Sequence, residues 1–142
     1  MSVFSIGALS VPAFSGKDAD VNRRAAMCSR STGPIPSGQY HIFDRQSGGK
    51  LGPLWDILSG SDKSEWFSLY AIDEKIDDYV ICNHIKRGNF RLHPKGRYGI
   101  SEGCITIEHM SDFQNIRAIL KDRPQVAVAG TSLKGYGRVT VR

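Results

Sequence analysis

The apolar residues of this chain come in short runs that alternate with polar ones, and clusters of glycine and proline cut between them. A period of two over a handful of residues is the mark of strands with one buried face, so the chain is constrained to a strand-rich architecture. Seven segments carry the pattern: residues 2 to 7, 38 to 44 (GQYHIFD), 66 to 72 (WFSLYAI), 89 to 93, 103 to 108, 125 to 129 and 136 to 142. Most have the usual length of a strand. Two segments show helical spacing instead. Over 111 to 122, Phe113, Ile116, Ile119 and Leu120 form one apolar stripe, and Ser111 with Gln114 reads as a capping box. Over 51 to 59, Leu51, Leu54, Trp55 and Leu58 fall one helical turn apart, with Pro53 in the first turn. Residues 15 to 37 carry turn formers and little periodic apolarity, and read as a long connection ending in GPIPSG. Connections of that length often hold functional groups. The expected class is mainly β with few helices, an α+β sandwich or mixed sheet with one helix packed on it near residues 111 to 122.

A chain of 142 residues is the length of one domain, 1 to 142, and buries a core without help from metal or disulfides. With 40% hydrophobic and 23% charged residues it falls outside the compositions that stay disordered. No apolar run is long enough to cross a bilayer as a helix, which excludes membrane insertion of that kind. The opening MSVFSIGALSVPAFSG has the look of a secretory leader, but no Lys or Arg precedes Lys17, and Ser5, Gly7, Ser10 and Pro12 interrupt it. It reads as part of the fold. The three cysteines, Cys28, Cys82 and Cys104, form no Cys-x-x-Cys pair, and the spacing of Cys28 and Cys82 favours no bridge over two buried thiols, the commoner state. The net charge of +5 favours an anionic partner. Nucleic acid is one such partner, but no base-stacking motif or docking element accompanies the charge, so no nucleic-acid role is expected.

The basic residues gather around one histidine. Lys86, Arg87, Arg91, Lys95 and Arg97 surround His93, with no acid between Asp78 and Glu102. Eleven positions after His93 comes Cys104, preceded by Ser-Glu-Gly. A thiol titrates near ~8.5 and needs a base or positive surroundings to become a strong nucleophile at neutral pH. His93, at the end of the strand 89 to 93, is the candidate base for a cysteine at the start of the strand near 103. Gly103 permits a tight backbone and leaves room for a substrate carbonyl, and the N–H groups of Gly103 and Cys104 are candidate oxyanion donors. The carbonyl of Pro94 is the candidate acceptor that orients the imidazole. Spacing alone also fits an inert cysteine at a strand end and a satisfied histidine. Metal ligation fits less well, because His41, His84 and His109 form no short ligand pair with a cysteine; no metal or cofactor is expected.

The segment HPKGRYGISEGCITI resembles the active-site signature of L,D-transpeptidases of the YkuD type, in which a histidine precedes a Ser/Thr-x-Gly-Cys element. More closely, the chain resembles the compact antibacterial L,D-transpeptidase effectors of type VI secretion. The resemblance runs through SVPAFSG, Asn22, GPIPSGQYHIFDR, WFSLY, FRLHP and SEGCITI in that order. Two features depart from the larger YkuD enzymes: their histidine lies farther upstream, and Glu102 stands where many have a second histidine. Glu102 is therefore given no catalytic duty, and Ser101 matches the motif as a turn-holding residue.

The resemblance implies a YkuD-like fold and a cysteine enzyme acting on the stem peptide of peptidoglycan, with Cys104 as nucleophile and His93 as its acid-base partner. It implies L,D-carboxypeptidase trimming of tetrapeptide to tripeptide stems, and L,D-transpeptidase exchange of D-amino acids through a Cys104 thioester. Arg91, Lys95, Arg97 and Tyr40 are the candidate substrate contacts. It further implies a route from the producer's cytoplasm through type VI secretion components into the target cell's periplasm, and a cognate immunity protein. The rival reading is a non-catalytic wall-binding module of the same fold, which predicts an unreactive Cys104.

Overall fold

The first two strands show how local chemistry sets the frame. β1 (Ser2–Ile6) and β2 (Leu9–Phe14) pair antiparallel, with Ile6 opposite Leu9 across the two-residue turn Gly7-Ala8. Gly7 takes a φ of 57°, which glycine adopts without a Cβ penalty. The computed structural model describes residues 1–45, 65–96 and 103–142. The helix expected over 51 to 59 lies outside them.

Seven strands form one mixed sheet in the order β1-β2-β8-β7-β4-β3-β11. Its members are β3 (Gly38–Asp44), β4 (Phe67–Ala71), β7 (Arg91–Pro94), β8 (Ile105–Ile107) and β11 (Arg138–Val141) beside the first hairpin. Every neighbouring pair is antiparallel except β7 and β8, which run parallel with His93 opposite Thr106. A parallel pair cannot be closed by a tight turn, so β7 and β8 are not joined as a hairpin. Two hairpins flank the sheet: β5 (Tyr79–Cys82) with β6 (Ile85–Gly88), and β9 (Val126–Ala127) with β10 (Lys134–Gly135). The turn between β5 and β6 is Asn83-His84, both at positive φ, as a two-residue turn matched to strand twist requires.

One α-helix of the described residues, α1 (Met110–Lys121), follows β8 and packs over β7 and β8. It buries Phe113, Ile116 and Leu120, each contributing roughly 1.5–3 kcal/mol by leaving water. Ile119, expected in the same stripe, is exposed at the stripe's edge. The expected capping box does not form: His109 is the N-cap residue without a side-chain cap bond, and Gln114 turns to Glu65 at 2.9 Å. At its other end, Lys121 donates to Asp44 at 2.6 Å and to the Tyr136 hydroxyl at 2.8 Å, and that hydroxyl donates to Asp44. Among the described residues the architecture is a predominantly β half-barrel with one packed helix, consistent with the mixed α+β arrangement of YkuD-like folds.

The long connection from 15 to 37 holds two 3-10 turns, Asp18–Asp20 and Arg24–Ala26. It is stitched internally by Asn22, whose side chain accepts the Ser15 N–H, and by Ser15, whose hydroxyl accepts the Ile35 N–H. Cys28 and Cys82 form a disulfide with Cα atoms 5.2 Å apart, tying this connection to β5. That overturns the expectation of two buried thiols. The approach of residues 54 apart in sequence is set by the docking of the connection on the β5–β6 hairpin, not by their spacing.

Candidate active site

His93 sits on β7 with its ring buried and stacked on Trp66, centroids 4.3 Å apart and planes 20° from parallel. Its Nδ1 is 2.7 Å from the Pro94 carbonyl. A carbonyl only accepts, so this contact places a proton on Nδ1 and leaves Nε2 as the basic nitrogen of the neutral ring. Nε2 points toward β8, where the Thr106 hydroxyl lies 3.5 Å away, at the long limit of a hydrogen bond.

Cys104 precedes β8 and is half-buried, outside the disulfide. Its Sγ approaches the Asn89 carbonyl at 3.7 Å. Because Leu92 pairs with Ile105 and His93 with Thr106, Cys104 stands one residue ahead of the ladder, alongside Arg91. Strand register puts Thr106 and His93 on one sheet face. The parallel register brings the backbone of Cys104 to two positions before the residue opposite His93, although ten residues lie between them in the sequence.

Gly103 has a φ of 91°, a conformation that side chains rarely adopt. A Cβ there would lie 2.5 Å from a guanidinium nitrogen of Arg87 and 3.1 Å from the Phe90 ring. The space beside Gly103 that was expected to admit a substrate carbonyl is, on that side, filled by Arg87. The sequence singled out this arginine only as one of the basic residues around His93, without a place beside Gly103. It is buried, and its N–H groups donate to three main-chain carbonyls of the long connection: Met27, Gly33 at 3.0 Å and Pro34 at 3.2 Å. Burial lowers its pKa, while attraction to Tyr40 and Cys104 works the other way. The last attraction is mutual, so a charged Arg87 favours the Cys104 thiolate.

The other basic candidates are less free than their sequence context implied. Arg91 grips Asp78 through two bonds of 2.9 and 2.7 Å. Burial opposes its charge, but Asp78 overrides that penalty and leaves its pKa raised, with Cys104 adding attraction. Lys95 pairs with Glu108 at 2.9 Å. The run without acids between Asp78 and Glu102 is therefore bracketed in space by acids from either side of it. Tyr40, expected as a substrate contact, is 2% exposed, its hydroxyl donates to the Pro36 carbonyl, and its ring meets Phe90 edge-on at 5.8 Å. Burial raises its pKa. Ser101 and Arg97 lie outside the described residues. Among the described residues, no group of three or more His, Cys, Asp or Glu side chains is placed to hold a metal ion.

Trp66 and Thr106 also escaped assignment, though both lay inside quoted motifs, WFSLY and CITI. The signal for Thr106 was its position two residues after Cys104, which in a strand means the same face. Arg87 gave no comparable signal, since its partners are main-chain atoms of a distant connection.

A mixed, predominantly β half-barrel with one covering helix among the described residues is consistent with the YkuD-like class of fold. Residues 10–131 match the family model of the Tlde1 domain. The chain belongs to that family, which is associated with YkuD-like L,D-transpeptidases and type VI effector toxins. Membership supports L,D-transpeptidase or carboxypeptidase chemistry in general. No curated protein and no solved structure matches the chain. Among the described residues, no helix is long and apolar enough to cross a membrane.

Proposed function

We propose that this protein is an antibacterial cysteine enzyme that acts on peptidoglycan stem peptides as an L,D-carboxypeptidase and as an L,D-transpeptidase exchanging D-amino acids. The observation that carries the reading is a buried imidazole, its Nδ1 facing the Pro94 carbonyl, on the strand that runs parallel to β8 just after Cys104, with the Arg87 guanidinium packed beside Gly103. In this reading Nε2 of His93 takes the thiol proton, and the Cys104 thiolate attacks the carbonyl of the third stem residue, a meso-diaminopimelate. The N–H groups of Gly103 and Cys104 hold the developing oxyanion. The bond to the following D-Ala breaks, His93 returns its proton to the departing amine, and the acyl group remains on sulfur as a thioester.

Water attacking the thioester releases a tripeptide stem, and the amine of a free D-amino acid attacking it gives the exchanged stem. Either outcome removes donors for cross-linking. Arg91 contributes through its field, and Lys95 with Arg97 attracts the carboxylates of the stem. Pro94 orients the histidine and Ser101 holds the turn. Delivery runs from the producer's cytoplasm through a type VI apparatus to the target periplasm, with a cognate immunity protein guarding the producer.

Mass spectrometry of tetrapeptide muropeptides incubated with the protein, with and without D-Met, tests the reading. Wild type should remove terminal D-Ala and, with D-Met, yield the mass of the exchanged stem. Cys104→Ala should do neither, and His93→Ala should lose on the order of 10²-fold or more in rate. Wild-type turnover by either variant rejects the assignment.

A further inference from the structure

The two ends of the sheet meet at one cavity. The outer strands β1 and β11 both line a space of about 740 Å³, floored by Ala13, Ile42 and Ile105. Ile105 alternates with Thr106, so this floor lies on the sheet face opposite His93 and is separate from the candidate active site. Four arginines line the cavity, Arg24, Arg123, Arg138 and Arg142, with no acidic side chain among the described lining residues. All four are exposed.

β1 pairs only with β2 in the described sheet, which leaves its outer N–H and C=O groups open. Outer strands of stable proteins are usually blunted by charge, proline or a bulge, because an open edge templates another strand. β1 reads SVFSI and has none of these, and Val3 presents an apolar side chain that is 66% exposed. An unblunted neutral edge beside a cationic rim fits an extended acidic chain. The net charge of +5 and the four arginines oppose pairing of β1 with a second copy.

We propose that this cleft is a docking site for an extended acidic segment of a partner protein, which adds to the open edge of β1 as an eighth strand. Main-chain bonds to β1 supply the attachment, and alternate carboxylates of the incoming strand meet the arginines across the cavity.

The test uses a blocked, fluorescent decapeptide of alternating Glu and Val, its Lys and Val counterpart, and a Glu and Val version N-methylated at alternate amides. The intact protein should bind the first at least tenfold more tightly than the other two, with amide chemical shifts moving along Ser2–Ile6. Arg123→Glu with Arg138→Glu should weaken binding at least tenfold, and Arg123→Gln with Arg138→Gln should weaken it to a lesser degree while the far-ultraviolet spectrum stays unchanged. Equal binding of the N-methylated peptide, no binding of the acidic peptide, or self-association of the protein through β1 would overturn the proposal. So would displacement of the peptide by a tetrapeptide muropeptide, which would make the cleft a substrate site. Failure here leaves the assignment of Cys104 and His93 untouched, because their readout is turnover.

Discussion

Arg87 holds a charge against burial with main-chain carbonyls alone, and among the described residues no carboxylate pairs with it. Carbonyl dipoles satisfy its hydrogens without cancelling its charge, so the field reaches the neighbouring sulfur. Arg87→Gln should therefore raise the pH midpoint of Cys104 alkylation by iodoacetamide by about one unit. An unchanged midpoint would show that Arg87 only fills space. Gly103→Ala probes the same contact from the other side. The added methyl meets Arg87 and Phe90 in a backbone conformation that alanine resists, so turnover should fall by about tenfold or more, the effect of a reacting atom shifted by a fraction of an ångström. Wild-type turnover in that variant would mean the turn relaxes at no cost. At this scale Cys104 and His93 stand out in the sequence because their chemistry is carried by residue type. Arg87 read there only as one basic residue among several, because its placement depends on which carbonyls surround it.

Among the elements, the connection from 15 to 37 and the β5–β6 hairpin act as one body, joined by the Cys28–Cys82 disulfide and by the bonds from Arg87 on β6. Closing a loop of this length removes chain entropy worth about 4 kcal/mol in the usual model. Cys28→Ser with Cys82→Ser should lower unfolding free energy by about 2–5 kcal/mol in a denaturant titration. Loss of less than about 1 kcal/mol would show that packing alone fixes the connection. Strands 38 to 44 and 67 to 71 were legible, because both are short, rich in aromatic and aliphatic residues, and lie in the interior of the sheet. β2 was not, since Pro12 interrupts its pattern and only two residues separate it from β1. The β5–β6 hairpin was missed because its turn is Asn83-His84, which lacks the glycine that usually announces such a turn. The capping box failed for a different reason: a tertiary partner, Glu65, outcompeted the local bond to Gln114.

For the molecule as a whole, helix and sheet are bound at one corner by Lys121, Asp44 and Tyr136. Burial works against the lysine's charge, but its bonds to Asp44 and Tyr136 prevail and raise its pKa above 10.5. A raised pKa means the folded state holds the proton more tightly than the unfolded chain. The contribution is complete below about pH 10.5 and is lost as pH climbs through the folded value. Stability measured between pH 9 and 12 should fall more steeply for wild type than for Lys121→Met, and parallel curves would remove this corner from the account. Sheet order carries a last consequence. β8 lies between β2 and β7, so the segment bearing the sulfur is clasped on one flank by residues near 13 and on the other by residues near 92. A chain still emerging from the ribosome has no such clasp until its beginning has waited for residue 107, and contacts of that span assemble slowly. The first hairpin thus waits for β8 before it joins the sheet, and β11, made later still, closes onto β3 at the far edge.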